Sequence, residues 1–187
     1  MAQNNSYREF SYSSGLPRPG SMLYTLMSSD PDKVQNSLKK YKLMNKYLTL
    51  PLYKIGLLPL LGFGRIFLIL TTIGRKTGKK RKTPLEYRRF EGILHIFAAR
   101  GRKADWFQNL KVNPNEVWIR IGFRSSLVKS EILKDQLIKK QIFNEYVKKY
   151  PRAAKALFGW DRKVDDPEIT DFSNLINLIE IIRLHEI

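Results

Sequence analysis

The run Ile66-Phe67-Leu68-Ile69-Leu70-Thr71-Thr72-Ile73-Gly74-Arg75-Lys76-Thr77-Gly78-Lys79-Lys80-Arg81-Lys82-Thr83-Pro84-Leu85 decides how this chain folds. Residues 66–73 are apolar, with β-branched and aromatic side chains, and end in Thr-Thr, the pattern of a buried strand. Residues 74–80 form a turn bounded by Gly74 and Gly78, and residues 81–90 a second strand. Glu91-Gly92 is a tight turn, and residues 93–99 give a third strand in an antiparallel meander.

Working outward, residues 116–121 and 126–133 read as another hairpin, with Gly122 near its turn. Residues 134–150 read as an amphipathic helix that places Leu137, Ile138, Ile142, Phe143, Tyr146 and Val147 on one face. Residues 175–184 are apolar at almost every position and are expected to form a last strand. On the N-terminal side, Asp30 caps a helix expected to run to about Leu50, before Pro51. Residues 52–64 follow as a short helical or irregular piece, amphipathic at best. Residues 1–30, rich in Ser, Asn, Gly and Pro, are expected to be an arm or a disordered tail, and residues 31–187 one domain. Hairpins dominate, and open sheet edges invite aggregation. The expected class is therefore α+β, mainly antiparallel β, closed or nearly closed into a barrel with flanking helices.

Composition narrows the chemistry. The chain has 187 residues and no cysteine, which removes disulfides, thiolate metal sites and a cysteine nucleophile. Only His95 and His185 could serve a histidine metal cluster or a catalytic triad, and His95 sits in an alternating strand where a tucked-in imidazole is the simpler reading. The longest apolar stretch, residues 55–70, is broken by Pro59, glycines and Arg65, so no spanning helix is expected and a cytoplasmic setting follows. The formal charge is +17, and between Asp32 and Glu86 there are thirteen Lys or Arg and no acid. That field attracts phosphates, carboxylates and anionic lipid alike.

Two segments carry chemistry. In the first, Arg75, Lys76, Lys79, Lys80, Arg81 and Lys82 crowd one hairpin turn with two glycines. Turn amides can converge into an anion nest, and arginine adds bidentate phosphate geometry. The turn reads as a clamp for a phosphorylated or polycarboxylate tail, with a solvated basic turn as the plainer alternative. The second is Ala98-Ala99-Arg100-Gly101-Arg102-Lys103-Ala104-Asp105-Trp106-Phe107-Gln108-Asn109-Leu110-Lys111-Val112-Asn113-Pro114. Small residues end a strand, a basic glycine loop follows, and a short helix presents Trp106 and Asn109 three positions apart, on one face. An aromatic ring beside an amide suits a flat heterocycle.

Together these segments resemble the deazaflavin (F420)-dependent nitroreductase family of split β-barrel reductases. The shared pattern is Thr-Thr-Ile-Gly-Arg-Lys-Thr-Gly, then Arg81, Pro84-Leu85, and Trp-aromatic-x-Asn-Leu-Lys-x-Asn-Pro, spanning residues 62–114. The resemblance implies a split β-barrel of the FMN-binding-like kind and a coenzyme F420 site. It assigns the charged tail of that coenzyme to Arg75, Lys76, Thr77, Arg81, Lys82 and Thr83. Its ring falls to Phe97, Ala98, Ala99 and Arg100, with Asp105, Trp106, Phe107, Gln108 and Asn109. Nitroaromatics, quinones and other activated double bonds are the implied acceptors. Tyr150, after the long helix, is the candidate proton donor or substrate-pocket residue. The loop at residues 100–103 is shorter and more basic than in nitroreductase members, which leaves the acceptor open. Two alternatives stand beside this reading: a split barrel binding FMN or another planar ligand without the activity, and a basic module for nucleic acid or an anionic membrane surface.

Overall fold

The computed structural model describes residues 16–187. Four short or medium helices, α1 (Met22–Leu26), α2 (Pro31–Met44), α3 (Leu50–Lys54) and α4 (Leu57–Leu60), precede the first strand. The sheet comprises β1 (Phe67–Ile73), β2 (Lys80–Phe90), β3 (Ile93–Ala98), β4 (Val117–Ile121), β5 (Arg124–Ile132) and β6 (Glu180–Glu186). Between strands lie α5 (Asp105–Val112), α6 (Gln136–Lys149), α7 (Pro151–Phe158) and α8 (Ser173–Leu178). The six strands, all antiparallel, close into a barrel in the order β1-β2-β3-β6-β5-β4. The fold is thus a split β-barrel with flanking helices, as the hairpin pattern and the resemblance led us to expect.

Strand alternation builds two cores. Leu68, Leu70, Leu94, Ile96, Val117, Ile119, Val128, Ile182 and Leu184 meet inside the barrel, joined by Phe107 and Leu110 of α5. The other faces of β2, β3 and β6 lie under α6, α7 and α8, where Phe143 meets Phe158 and Phe172 edge-on, each at 5.0 Å. Buried aromatic edges of this kind add to the area term that dominates core stability.

Two expectations of element type change. Residues 175–184 are not one strand: α8 ends at Leu178, and β6 begins at Glu180. Short apolar runs carry no decisive period, and here tertiary burial on both sides accepts a helix followed by a strand. The buried Lys139 ammonium marks the switch by donating to the Ile179 carbonyl at 3.0 Å. Second, Pro51 does not stop the N-terminal helix. A wide π turn at Asn45–Thr49 carries the chain into α3, so the missing proline N–H and its ring meet no tight i−4 carbonyl. Directly after α6, α7 starts at Pro151, an N1 position where proline costs nothing.

The expected N-terminal arm lies, for residues 1–15, outside the described residues. Residues 16–30 are packed: Leu16 and Leu23 are buried, and Arg18 pairs with the buried Asp165 at 2.6 Å. The single-domain division at residue 31 remains a proposal.

Candidate active site

The basic hairpin turn is bolted to α5. The Asn109 side-chain oxygen accepts from the Arg75 backbone amide and from its guanidinium, both at 3.1 Å, while the Asn109 amide nitrogen donates to Thr72 Oγ1 at 3.4 Å. Arg75 continues onto the Asp105 carboxylate at 3.2 Å and the Asp105 carbonyl at 3.4 Å. Asn109 is buried, so this amide replaces water for the groups it meets. The turn and the helix singled out as parts of one cofactor site are therefore brought together, but Arg75, Asp105 and Asn109 bind each other.

The expected amide nest is not formed. The Gly74 amide donates to the Lys79 carbonyl at 2.9 Å, and those of Thr77 and Gly78 to the Gly74 carbonyl at 3.0 and 2.8 Å. The Arg75 amide is taken by Asn109, and that of Lys79 by Thr77 Oγ1 at 3.4 Å. With the amides of Gly74, Arg75, Thr77, Gly78 and Lys79 engaged internally, the turn holds an anion chiefly through side chains. Lys76, Lys79, Arg81 and Lys82 are exposed and pair with no carboxylate among the described residues, whereas Arg81 touches Thr77 Oγ1 at 3.5 Å. Lys80 lies over the Trp118 ring at 4.2 Å. Thr83 is half-buried on β2. A cluster of cations without counter-charges fits a polyanionic tail.

The ring-lining candidates divide between faces. Ala98 and Phe107 are buried in the barrel core, so their side chains cannot reach a ligand and any contact from them is through backbone. Phe97 and Ala99 point the other way, toward α6, with Phe97 at 5.0 Å from the Tyr146 ring. Trp106 is half-buried and meets Phe107 edge-on at 6.2 Å. Gln108 donates to the Arg102 carbonyl at 2.6 Å and so tightens the loop before α5. Arg100 is half-buried at the end of β3. Gly101 has φ +51, and a Cβ there would fall inside contact distance of the Leu178 carbonyl oxygen. The compact basic loop is thus pressed against the end of α8, where Arg102 pairs with Glu180 at 2.9 Å.

A cluster that the sequence did not single out lies beside Phe97. Glu86 and Arg88 of β2 point away from the barrel core and pair at 2.5 Å, and the Tyr146 hydroxyl donates to Glu86 at 3.1 Å. Burial pushes the Glu86 carboxyl above its usual range although Arg88 and Tyr146 pull the other way. Burial, then the Glu86 charge, pushes the Tyr146 phenol up as well. Arg88 also stacks on the Tyr150 ring at 4.1 Å. Tyr150 is half-buried at the end of α6, 5.7 Å from Tyr146 and 6.4 Å from Phe90, and its hydroxyl meets no partner among the described residues. Alternation hints at this cluster, since Leu85 and Tyr87 point inward, but only the covering helix makes the charges buried. His95 is buried beside Phe90, bonded to the Ile93 carbonyl at 3.0 Å and to Arg183 at 3.3 Å. Burial lowers its pKa, so it stays a neutral packed imidazole.

A closed antiparallel barrel with a cationic hairpin joined to an aromatic-bearing helix defines a split-barrel cofactor-binding protein. The chain belongs to the F420H(2)-dependent quinone reductase family, whose model matches residues 60–164. It is an F420H2-dependent oxidoreductase, with coenzyme F420 as its cofactor. Among solved structures it is similar to an F420-H2 dependent reductase, FDR-A, at 23% identity over 65% of this chain and 95% of that one, with a TM-score of 0.45. It is also similar to a pyridoxamine 5'-phosphate oxidase-like protein from Listeria innocua, at 14% identity over 68% and 90%, TM-score 0.44. An FAD-binding protein from Mesorhizobium loti aligns at 15% identity over 65% and 78%, TM-score 0.42. No curated protein matches the chain.

Proposed function

We propose that this chain passes a hydride from reduced coenzyme F420 to a quinone, with nitroaromatics and other activated double bonds as further acceptors. The observation that carries the reading is the cationic hairpin, whose Lys76, Lys79, Arg81 and Lys82 meet no carboxylate among the described residues, held by Asn109 against the helix that bears Trp106. Lys76, Arg81 and Lys82, with Thr77 and Thr83, receive the phosphate and glutamate tail of the cofactor. Arg75 and Asp105 act as positioning residues that fix the turn on α5. Phe97, Ala99, Arg100 and Trp106 border the ring, with backbone contacts available from Ala98 and Phe107. When bound, the reduced cofactor supplies the two electrons and one hydrogen as hydride. The chain orients that group, excludes water, and places cationic charge near the oxygen that becomes negative. A cytoplasmic setting, with peripheral attachment to an anionic membrane, belongs to the same reading.

Calorimetric titration of Lys76→Ala/Arg81→Ala against oxidised F420 tests the clamp. These side chains are exposed, so each contributes only about 0.5–1 kcal/mol, and roughly tenfold weaker binding is expected for the pair. Unchanged affinity, or preferential uptake of FMN by the wild type, rejects the assignment. The second proton of quinone reduction is assigned to the Tyr150 hydroxyl, whose ring is held by Arg88 and whose oxygen has no partner among the described residues. Tyr150→Phe is expected to lower kcat by about a hundredfold with cofactor affinity unchanged. Turnover that stays the same across the pH range takes the hydroxyl out of the reaction.

A further inference from the structure

The loop between β3 and α5 is held from behind by residues far from either motif. It is a single 3-10 turn, Gly101–Lys103. In it the Lys103 amide donates to the Arg100 carbonyl at 3.1 Å and the Ala104 amide to the Gly101 carbonyl at 3.3 Å. Bonds of this tight geometry are poor and do not by themselves fix a basic, glycine-bearing loop. The loop nevertheless joins the end of β3 to the start of α5, the two segments assigned to the cofactor ring, so its placement sets their spacing.

Glu180 is the anchor. It opens β6 directly opposite Ala98 of β3, and its side chain is only 12% exposed. One carboxylate oxygen accepts from Arg102 Nε at 2.9 Å, and the other lies 3.8 Å from the Lys139 ammonium. Lys139, on α6, is buried and also donates to the Ile179 carbonyl at 3.0 Å. Burial pushes its ammonium below the usual lysine range, and the Glu180 charge pulls it back up. The carboxylate thus keeps the buried cation charged, and the cation in turn holds the carboxylate in place.

The Arg102 side chain is 84% exposed, and an ion pair with one end in water adds little to global stability. Its effect is local. The Arg102 carbonyl accepts from Gln108 of α5 at 2.6 Å, so β6 holds this residue by its side chain while α5 grips its backbone. Beside it, Gly101 lies so close to the Leu178 carbonyl that no Cβ fits between them. The loop is therefore tied to α5, to β6 and to the end of α8.

We propose that Glu180, seated by Lys139, is a further positioning residue of the cofactor site: through Arg102 it fixes the 100–103 loop and so presets the gap between β3 and α5 that the cofactor ring enters. The proposal rests on the assignment of those two segments to the ring, and it adds α6 and β6 to the parts that build the site. Electrostatics alone gives the opposite expectation. Glu180 is a negative charge beside a site for an anionic cofactor, and neutralising it frees the Arg102 guanidinium, so a purely electrostatic role makes F420 bind more tightly. A positioning role makes it bind more weakly, because ordering the loop is then charged to the binding step.

Amide hydrogen exchange on the cofactor-free chain and calorimetric titration with oxidised F420 decide between these roles. In Glu180→Gln and in Arg102→Ala, the Lys103 and Ala104 amides are expected to exchange about tenfold faster than in the wild type. Each variant is expected to bind F420 about tenfold more weakly. The double variant should bind no worse than either single one, since both break the same tie. Lys139→Met/Glu180→Gln, which leaves no unpaired buried ammonium, should hold its urea midpoint near the wild type and still bind weakly. Unchanged or tighter F420 binding by Glu180→Gln overturns the proposal. So do losses that add in the double variant, or exchange at the two amides that keeps the wild-type rate. Failure of the cofactor assignment looks different: the wild type itself then takes up no F420, and the proposal falls with it.

Discussion

Glu86→Leu is expected to destabilise the protein by about 3–5 kcal/mol, because it strands a buried cation. Arg88 is only 10% exposed at its side chain, and Glu86 is its one carboxylate partner among the described residues. Its Nε already lacks a hydrogen-bond partner. A guanidinium cannot shed its charge at any accessible pH, so the cost has no escape. Arg88→Met should be milder, because the remaining carboxyl can take up a proton and keep its bond from Tyr146. Equal penalties for the two variants in urea unfolding would contradict this asymmetry.

The same pair sets a pH dependence. The Glu86 carboxyl titrates above its usual range in the folded protein because burial outweighs the Arg88 attraction. Just above the ordinary carboxylate pKa, the folded state therefore holds more protons than the unfolded chain, and stability falls as pH rises through that window. Glu86→Gln should flatten this slope. A slope that survives the substitution would assign it to another group.

Asn109→Leu is expected to weaken F420 binding by ~10- to 100-fold and to cost about 2–3 kcal/mol of stability. One side-chain oxygen serves both the amide and the guanidinium of Arg75, and a leucine leaves the former without its acceptor. The turn then loses its tie to α5, and Lys76, Arg81 and Lys82 lose their common placement. Losing that placement costs more than losing one lysine, because the cofactor must then order the turn itself. Asn109→Asp keeps the acceptor and adds a charge for Arg75, so it should hold stability near the wild type. If Asn109→Leu unfolds more easily yet binds F420 as before, the amide is a structural strut and the clamp works without it.

The hairpin of β1 and β2 was legible in outline. Alternation, β-branching and the Gly74 to Gly78 turn mark two paired strands, whereas the register that sets Thr72 opposite Arg81 and Ile69 opposite Pro84 is read only from the structure. The cationic turn was equally plain, since six basic residues on one bend need no tertiary information. Arg75 was another matter. In sequence it is one cation among several, and only the approach of α5 turns it from a ligand-facing charge into an internal brace. Tyr146 belonged to the apolar face of its helix, and nothing local announces that its hydroxyl will meet a buried carboxylate.

By itself, then, the amino-acid order determined the first five strands, their hairpins, the place where positive charge gathers, and the motif pairing that marks the family. These depend on neighbours within a few positions, where periodicity and turn chemistry act directly. Tertiary structure alone decided which charges stay free and which are used up, because α5 meets the turn across 34 positions of chain and Tyr146 meets Glu86 across 60. It likewise decided that residues 173–178 are helical and that a row of leucines faces outward. Burial is a property of what packs on top, and no local pattern contains it.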